Sequence, residues 1–408
     1  MKNIVVLGGS FAGVSSVHYV QRHVIPQLPD PSSYQVVLVS PTTEAVYRPA
    51  TVRVLISDDL LDYKLLWTDV KSTLEGQYAK SFRFVHGKAA GLDTEARTVD
   101  VELVGGPSEK IEYHALIIAT GAATTSPLFS MNLDAASMRE TWAKFRAALP
   151  GAKSIVLAGG GPTAVETAAE LGEHLNGRAG WFDSKLQNPK VPITIVTSDS
   201  KLLPDLRESI AQTAEDYLAQ LGVTVVKNVK VTRVSPEDSG TRNLEAKTRV
   251  SLSDGRELDA DIYIPAMGTT PNTSFLPTNL LAKDGRVKVN PSTMRVEAAG
   301  PRVYAFGDVS NHHRPSIYFI KLSTPALGQN IKRDLLLAAG RDEKALDPDR
   351  EWQEDKRETQ LVTLGRSKGV GAVMGTRLPN FAVWWLKGRD LGASVPVTLW
   401  NGKEFGKP

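Results

Sequence analysis

Short, unbroken apolar runs recur along this chain, and most of them end on small residues. Ile4-Val5-Val6-Leu7 runs straight into Gly8-Gly9-Ser10-Phe11-Ala12-Gly13, and Val14, Val17 and Val20 then repeat at helical spacing. A four-residue apolar run bounded by glycine reads as a buried strand, and the 3–4 spacing behind it reads as a helix. The pattern returns about 150 residues later. Ile155-Val156-Leu157-Ala158 leads into Gly159-Gly160-Gly161, and an apolar helix follows from Pro162 through Leu171. Gln35–Ser40, Ala115–Ala122, Pro192–Ser198, Asp261–Met267 and Arg302–Val309 are further buried strands of the same kind. From Phe82 to Ile111 the pattern changes to short alternating strands separated by Gly105-Gly106-Pro107, which predicts a small antiparallel insertion.

Thr324 suits a helix cap and Pro325 the first helical position, so a helix is expected from there to about Ala339, with Gly340 as its stop. A charged stretch, Arg341 to Glu358, separates this from a last unit of short strands. That unit ends in an aromatic run, Phe381-Ala382-Val383-Trp384-Trp385, followed by Lys387 and Arg389. The fold predicted is α/β, with two Rossmann-like domains of three-layer ββα build and a small α+β C-terminal region. The expected boundaries are 1–124 and 263–340 for the first domain, 125–262 for the second and 341–408 for the C-terminal region.

With 408 residues there is room for two or three domains with buried cores, and 41% hydrophobic and 23% charged residues are ordinary for a globular chain. A net charge of +3 without a dense Lys/Arg run gives no reason to expect nucleic acid. The absence of cysteine decides more. It excludes disulfides, thiolate metal clusters and any transfer of electrons through a dithiol. No metal site is expected. The first strand begins too early for a signal peptide, Lys2 stands where myristoylation needs glycine, and no apolar run reaches membrane-spanning length. The expected compartment is the cytoplasm, with peripheral attachment to a membrane as the variant.

Strand, glycine turn and helix together form an entry to a dinucleotide site. The glycines permit a tight turn and close packing, and the free N–H groups of the helix start face a pyrophosphate. A single such fingerprint is weak evidence, and Ser10 stands where the middle glycine is usual. Two copies in this order imply two dinucleotide sites. Neither following strand ends in the acidic residue that would hold an adenosine ribose. Ser40 closes the first and Ser198 the second, with Lys201 and Arg207 downstream. That absence leans toward NADPH, or toward use of both nicotinamides.

Arg48 and Arg53 are read either as neighbours of a pyrophosphate or as solvated loop charges. Glu166 and Glu170 share one helix face. Glu166 is expected near the nicotinamide, against the alternative of an exposed first-turn carboxylate. Gly307-Asp308 ends a strand with a close-approach glycine and a carboxylate able to accept from a ribityl hydroxyl. His312 and His313 read as packing or loop histidines, with proton relay as the rarer alternative. The aromatic stretch 378–391 reads as a membrane-surface contact or channel mouth, against packing or a homodimer interface.

In this order the Gly-rich turn, Ala119-Thr120-Gly121, the second Gly-rich turn, Met267-Gly268-Thr269-Thr270-Pro271-Asn272 and Gly307-Asp308 resemble the two-dinucleotide-binding-domain flavoproteins. The ending, Leu364-Gly365-Arg366, Gly369-Val370-Gly371, Lys387-Gly388-Arg389-Asp390-Leu391 and Leu399-Trp400, resembles the apoptosis-inducing-factor-like, mitochondrion-associated group with its ferroptosis-suppressing ubiquinone reductase. The resemblance implies hydride transfer from NADPH or NADH to FAD and on to a quinone-like acceptor.

On that basis the FAD candidates are Gly8, Gly9, Ser10, Phe11, Ala12, Gly13, Ser40, Arg48, Pro49, Ala89, Ala119, Thr120, Gly121, Gly307, Asp308, Thr324 and Pro325. The NAD(P)H candidates are Gly159, Gly161, Pro162, Thr163, Glu166, Ser198, Lys201, Met267 and Gly268, with Glu166 as the catalytic candidate. The chain departs from the quinone reductases in carrying Asn401, not lysine, after the C-terminal tryptophan. Two rival functions remain: an oxygen-using flavin enzyme that tailors an aromatic natural product, and a nicotinamide-sensing flavoprotein of little turnover.

Overall fold

A computed structural model describes residues 1–130, 132–180, 182–393 and 395–407, without the side chains of residues 395 and 396. The first domain is built on a seven-stranded sheet. Its strands lie in the order Val303–Ala305, Ala115–Ile118, Lys2–Leu7, Tyr34–Ser40, Phe82–Asp93, Thr98–Leu103, Ser108–Glu112. The first five pair in parallel, as expected for runs buried on both faces. The expected antiparallel insertion is partly this same sheet. Phe82–Asp93 pairs in parallel with Tyr34–Ser40 at its start, shifts register between Ala89 and Gly91, and continues antiparallel to Thr98–Leu103. Twelve residues let one strand serve both partners. The change of partner falls between His86 and Gly87, and Ala89 sits at the bulge just inside the antiparallel part.

The second domain repeats the arrangement on a smaller scale. Its parallel strands run Val223–Val226, Ile193–Val196, Ile155–Ala158, Ile262–Pro265, and a three-stranded antiparallel sheet flanks them. Two short antiparallel segments, Ala122–Thr124 and Thr269–Pro271, carry the chain between the domains. Ile262–Pro265 therefore belongs to the second sheet, and the return crossing lies a few residues after it. The helices Phe11–Tyr19 and Pro162–Asn176 follow the two glycine turns. The last unit is a three-stranded antiparallel sheet, Gln360–Leu364, Lys368–Val373 and Thr376–Arg377, followed by the helical turns 380–388.

The chain's end returns to its beginning. Trp400 stacks on Phe11 with ring centroids 4.7 Å apart, and its carbonyl oxygen lies 2.9 Å from His18 Nε2. Tyr78 Oη is 2.8 Å from His18 Nδ1 and accepts from Arg22 Nε, while Arg22 Nη1 donates to the Gly402 carbonyl. Burial lowers His18 from its usual 6.5 to about 4. A histidine held neutral stabilises the fold fully above pH 6.5, and that stabilisation is lost as pH falls toward 4. From these two values the loss at pH 5 is about 2 kcal/mol. The melting temperature should drop between pH 7 and 5, and His18→Asn should shrink the drop. An unchanged slope in the variant would place the pH dependence elsewhere.

Candidate functional site

A cavity of about 760 Å³ opens beyond the carboxyl ends of Lys2–Leu7 and Tyr34–Ser40, where an open α/β sheet places its ligands. Gly8, Gly9, Ser10, Phe11, Ala12, Ser40, Arg48, Pro49, Ala89, Ala119, Thr120, Gly121 and Asp308 all line it. Gly13 and Gly307 support it from behind, Gly13 against the Gly8 carbonyl and Gly307 against Ala12. Gly8 has φ +112°, and a Cβ there would stand 2.2 Å from the Ala119 carbonyl oxygen. Only glycine fits that position.

Ser10 occupies the helix N-cap without capping it, and its hydroxyl is buried with no hydrogen-bond partner among the described residues. The cap hydroxyl and the first helical N–H groups are left for a ligand. Arg48 and Asp308 face each other at 3.9 Å, beyond hydrogen-bond reach. One offers donors for phosphate and the other acceptors for hydroxyls. This arrangement fits a dinucleotide.

The long helix begins earlier than its Thr-Pro pair suggests. It spans Ile317–Ala338 with Ser316 at the N-cap, and Pro325 lies inside it. Ser323 and Thr324 donate their hydroxyls to the carbonyls of Phe319 and Ile320, four residues back. Thr324 is fully buried, and neither it nor Pro325 lines the cavity. Ile317, Tyr318 and Ile320 do. The helix start that meets the cavity is Ser316, which follows Pro315 and is itself a good cap residue.

The second glycine turn copies the first. Gly159 has φ +125°, and a Cβ would stand 2.3 Å from the Ala266 carbonyl oxygen, as Gly8 does with Ala119. Around Gly161 the space is open, and it caps the helix at Pro162 with no side-chain bond. Thr163 is half-buried beside it, Gly268 has φ +66° and Met267 is 46% exposed. Ser198 is exposed at the end of its strand. The two cations downstream are already engaged: Lys201 Nζ donates to the Leu206 carbonyl, and Arg207 Nε donates to Glu358 Oε2 at 2.6 Å.

Glu166 is neither an exposed carboxylate nor open to the cavity. It is 3% exposed, and its Oε1 accepts from Thr363 N at 2.8 Å, Thr363 Oγ1 at 3.0 Å and Lys387 Nζ at 2.6 Å. Lys387 donates also to the Leu361 carbonyl and lines the cavity. One turn on, Glu170 is the partner of Arg53. Arg53 Nη2 lies 2.6 Å and Nε 3.0 Å from Glu170 Oε1, with both side chains at most 3% exposed. Arg53 is thus neither a pyrophosphate ligand nor a solvated loop charge. Burial raises the Glu170 carboxyl although Arg53 pulls it down. Glu173 Oε2 accepts from Arg366 N at 2.6 Å. Three glutamates on one helix face thus hold the C-terminal unit and a first-domain segment against the second domain.

Of the residues this unit brings to the cavity, Thr359, Gln360, Leu361 and Val373 were not site candidates, and Lys387 was named only within the stretch 378–391 and the family-like ending. Pro162 and Asp205 reach it from the second domain. Tyr47, 6% exposed, lines it beside Phe11, in an edge-on arrangement with centroids 6.1 Å apart. Its hydroxyl is pushed up by burial, then by the Glu166 and Asp390 carboxylates. His312 and His313 are packing residues, with rings 3.8 Å apart inside the fold. Burial lowers both. Among the described residues no group of three or more His, Cys, Asp or Glu is placed to hold a metal ion, and no helix is long and apolar enough to cross a membrane.

The family model described as pyridine nucleotide-disulphide oxidoreductase matches residues 2–329. The chain belongs to that family. The disulphide of the family name cannot form in a chain without cysteine. Oxidoreductase phnG of Penicillium herquei is 52% identical over all of this chain and 97% of its own length. Oxidoreductase ptaL of Pestalotiopsis fici is 30% identical over 98% and 99%. Ferroptosis suppressor protein 1 of Xenopus tropicalis is 24% identical over 96% and 94%, and apoptosis-inducing factor 1 of Saccharomyces cerevisiae 25% over 96% of both chains. The fold is also that of NDH2 from Plasmodium falciparum, with a TM-score of 0.66 at 13% identity over 100% of this chain and 99% of the other. The C-terminal unit that completes the cavity lies outside the matched span, and the full-length relatives cover it.

Proposed function

We propose that the protein holds FAD in the first-domain part of the cavity, receives hydride from NADPH or NADH on the second domain, and passes the electrons to a quinone-like acceptor. The observation that carries this reading is a single continuous cavity. The first glycine turn, the second domain's Pro162 and the C-terminal Gln360, Leu361, Val373 and Lys387 all line it. When bound, FAD supplies the redox centre. The chain's own part is placement: Ser10 and the helix start toward the pyrophosphate, Asp308 toward ribityl hydroxyls, Arg48 toward phosphate or ring oxygens. Its apolar walls keep water away, and Glu166 fixes Lys387 at the acceptor end.

Anaerobic mixing with NADPH and, separately, NADH, followed by quinones and then air, tests the reading. Flavin bleaching reversed quickly by quinones supports it. Bleaching reversed by air alone favours the oxygen-using tailoring enzyme, and slow turnover with every acceptor favours the nicotinamide sensor.

Gly161→Val separates the two nucleotide sites. A side chain there meets open space, so the fold and the yellow colour should persist while nicotinamide affinity falls at least a hundredfold, as measured by flavin bleaching against NADPH concentration. Wild-type affinity would remove the second turn from the nicotinamide site.

The turns 380–388 expose Phe381 at 72% and Trp385 at 64%, while Val383 and Gly388 face the sheet beneath. Exposed Arg366 and Arg389 flank them and make no ion pair among the described residues. This combination suits an anionic lipid surface. Trp385→Ser with Phe381→Ser should weaken sedimentation with phosphatidylserine vesicles. Undiminished binding would leave a protein interface as the use of this face.

A further inference from the structure

Of the polar groups that the C-terminal unit brings to the cavity, Lys387 already has partners, while Gln360 Oε1, an acceptor, is buried with none among the described residues. Lys387 is held by Glu166 and the Leu361 carbonyl, and Glu166 is saturated by Thr363 and Lys387. Tyr47 differs. It lines the cavity and is nearly enclosed, yet its hydroxyl makes no hydrogen bond among the described residues. Phe11 packs edge-on to its ring, and Phe11 in turn stacks on Trp400, so the ring is fixed by two aromatic layers. A fixed, unspent O–H donor on a largely buried wall of the cavity meets the geometric requirement for stabilising charge on a ligand oxygen. Burial and the nearby carboxylates of Glu166 and Asp390 keep the proton on it, so it acts as a donor and not as a base.

The geometry points to Tyr47 as a catalytic residue whose hydroxyl donates a hydrogen bond to the acceptor's carbonyl oxygen, the atom on which negative charge grows as the acceptor is reduced. This rests on the quinone-type reading above. It selects acceptors that carry a carbonyl or a comparable oxygen at the buried end, and it gives no advantage to acceptors that take single electrons at a distance. Tyr318 also lines the cavity, but it is 39% exposed, and water can replace its hydroxyl.

Tyr47→Phe removes only the oxygen and keeps the ring packed on Phe11. The ratio of quinone to ferricyanide turnover should fall by about a hundredfold, the usual effect of removing one such donor. Calorimetric affinity for 2-methyl-4-quinolone, which offers the carbonyl but cannot be reduced, should fall roughly tenfold. Tyr217→Phe, on the second-domain helix Glu208–Ala219 and outside the cavity, should change neither by more than about twofold. If Tyr47→Phe does not keep its flavin, wild-type protein still decides the matter. The ¹³C-labelled carbonyl stretch of bound quinolone should move to lower frequency than in an apolar solvent. A wild-type enzyme that reduces quinones, with an unchanged ratio in Tyr47→Phe or an unshifted carbonyl stretch, overturns the role of Tyr47. A wild-type enzyme that reduces no quinone overturns the functional reading instead, and the quinolone measurements then still show whether Tyr47 binds a carbonyl.

Discussion

Gly8→Val yields a chain that purifies without flavin. Its Cβ would overlap the Ala119 carbonyl at 2.2 Å, and its backbone would be held at φ +112°, where a β-branched residue is strained. The atoms that Cβ would meet are all backbone, and Cβ itself is fixed by the main chain, so no side-chain rotation relieves the clash. The turn must open, and with it the floor of the cavity. The expected cost is a few kcal/mol of stability together with loss of the cofactor. The ratio of absorbance at 450 nm to that at 280 nm, and a thermal melt, read both effects. A yellow variant with wild-type stability would show that the first turn does not carry the flavin.

Arg53→Met is expected to be the most damaging change away from the glycine turns. It leaves the Glu170 carboxylate enclosed without a cation, which costs about 3–5 kcal/mol. Pairing it with Glu170→Leu removes both charges and should recover most of that loss, because burial already outweighs the pairing at Glu170. The two singles and the double form a cycle, read by chemical denaturation. If the double is as unstable as Arg53→Met, the lost bonds from Arg53 to the Gly388 and Gly365 carbonyls are the cause.

What could be read in advance was what local sterics determine. Gly8 and Gly159 each lie against the end of a strand that was recognisable from its small residues, Ala119 in one case and Ala266 in the other. Asp308 and Arg48 both line the cavity, Asp308 from the end of its Gly-Asp strand and Arg48 from a loop whose role the sequence left open. The partners of Arg53 and Glu166 could not be read, because Glu170 is 117 residues from Arg53 and Lys387 is 221 from Glu166. Periodicity says which face of a helix is buried, and does not say which charge will meet it. The helix containing Pro325 shows the other limit. A Thr-Pro pair is a sound start signal, but serine and threonine hydroxyls bonded to carbonyls one turn back accompany a proline inside a helix that tertiary packing holds on both sides.

The bond between His18 and the Trp400 carbonyl spans 382 residues. On the ribosome, the helix Phe11–Tyr19 is made well before Trp400 and Phe405, and one side of it stays uncovered until they emerge. Over that interval Phe11 and Tyr19 offer apolar surface to whatever is nearby. Contacts of such separation also slow the closing of the fold. A nascent chain of this protein is therefore expected to leave this helix face open to other contacts until residues 400–405 have emerged. Ribosome-stalled chains ending near residue 390 should be much more sensitive to protease at the first helix than chains released after residue 405.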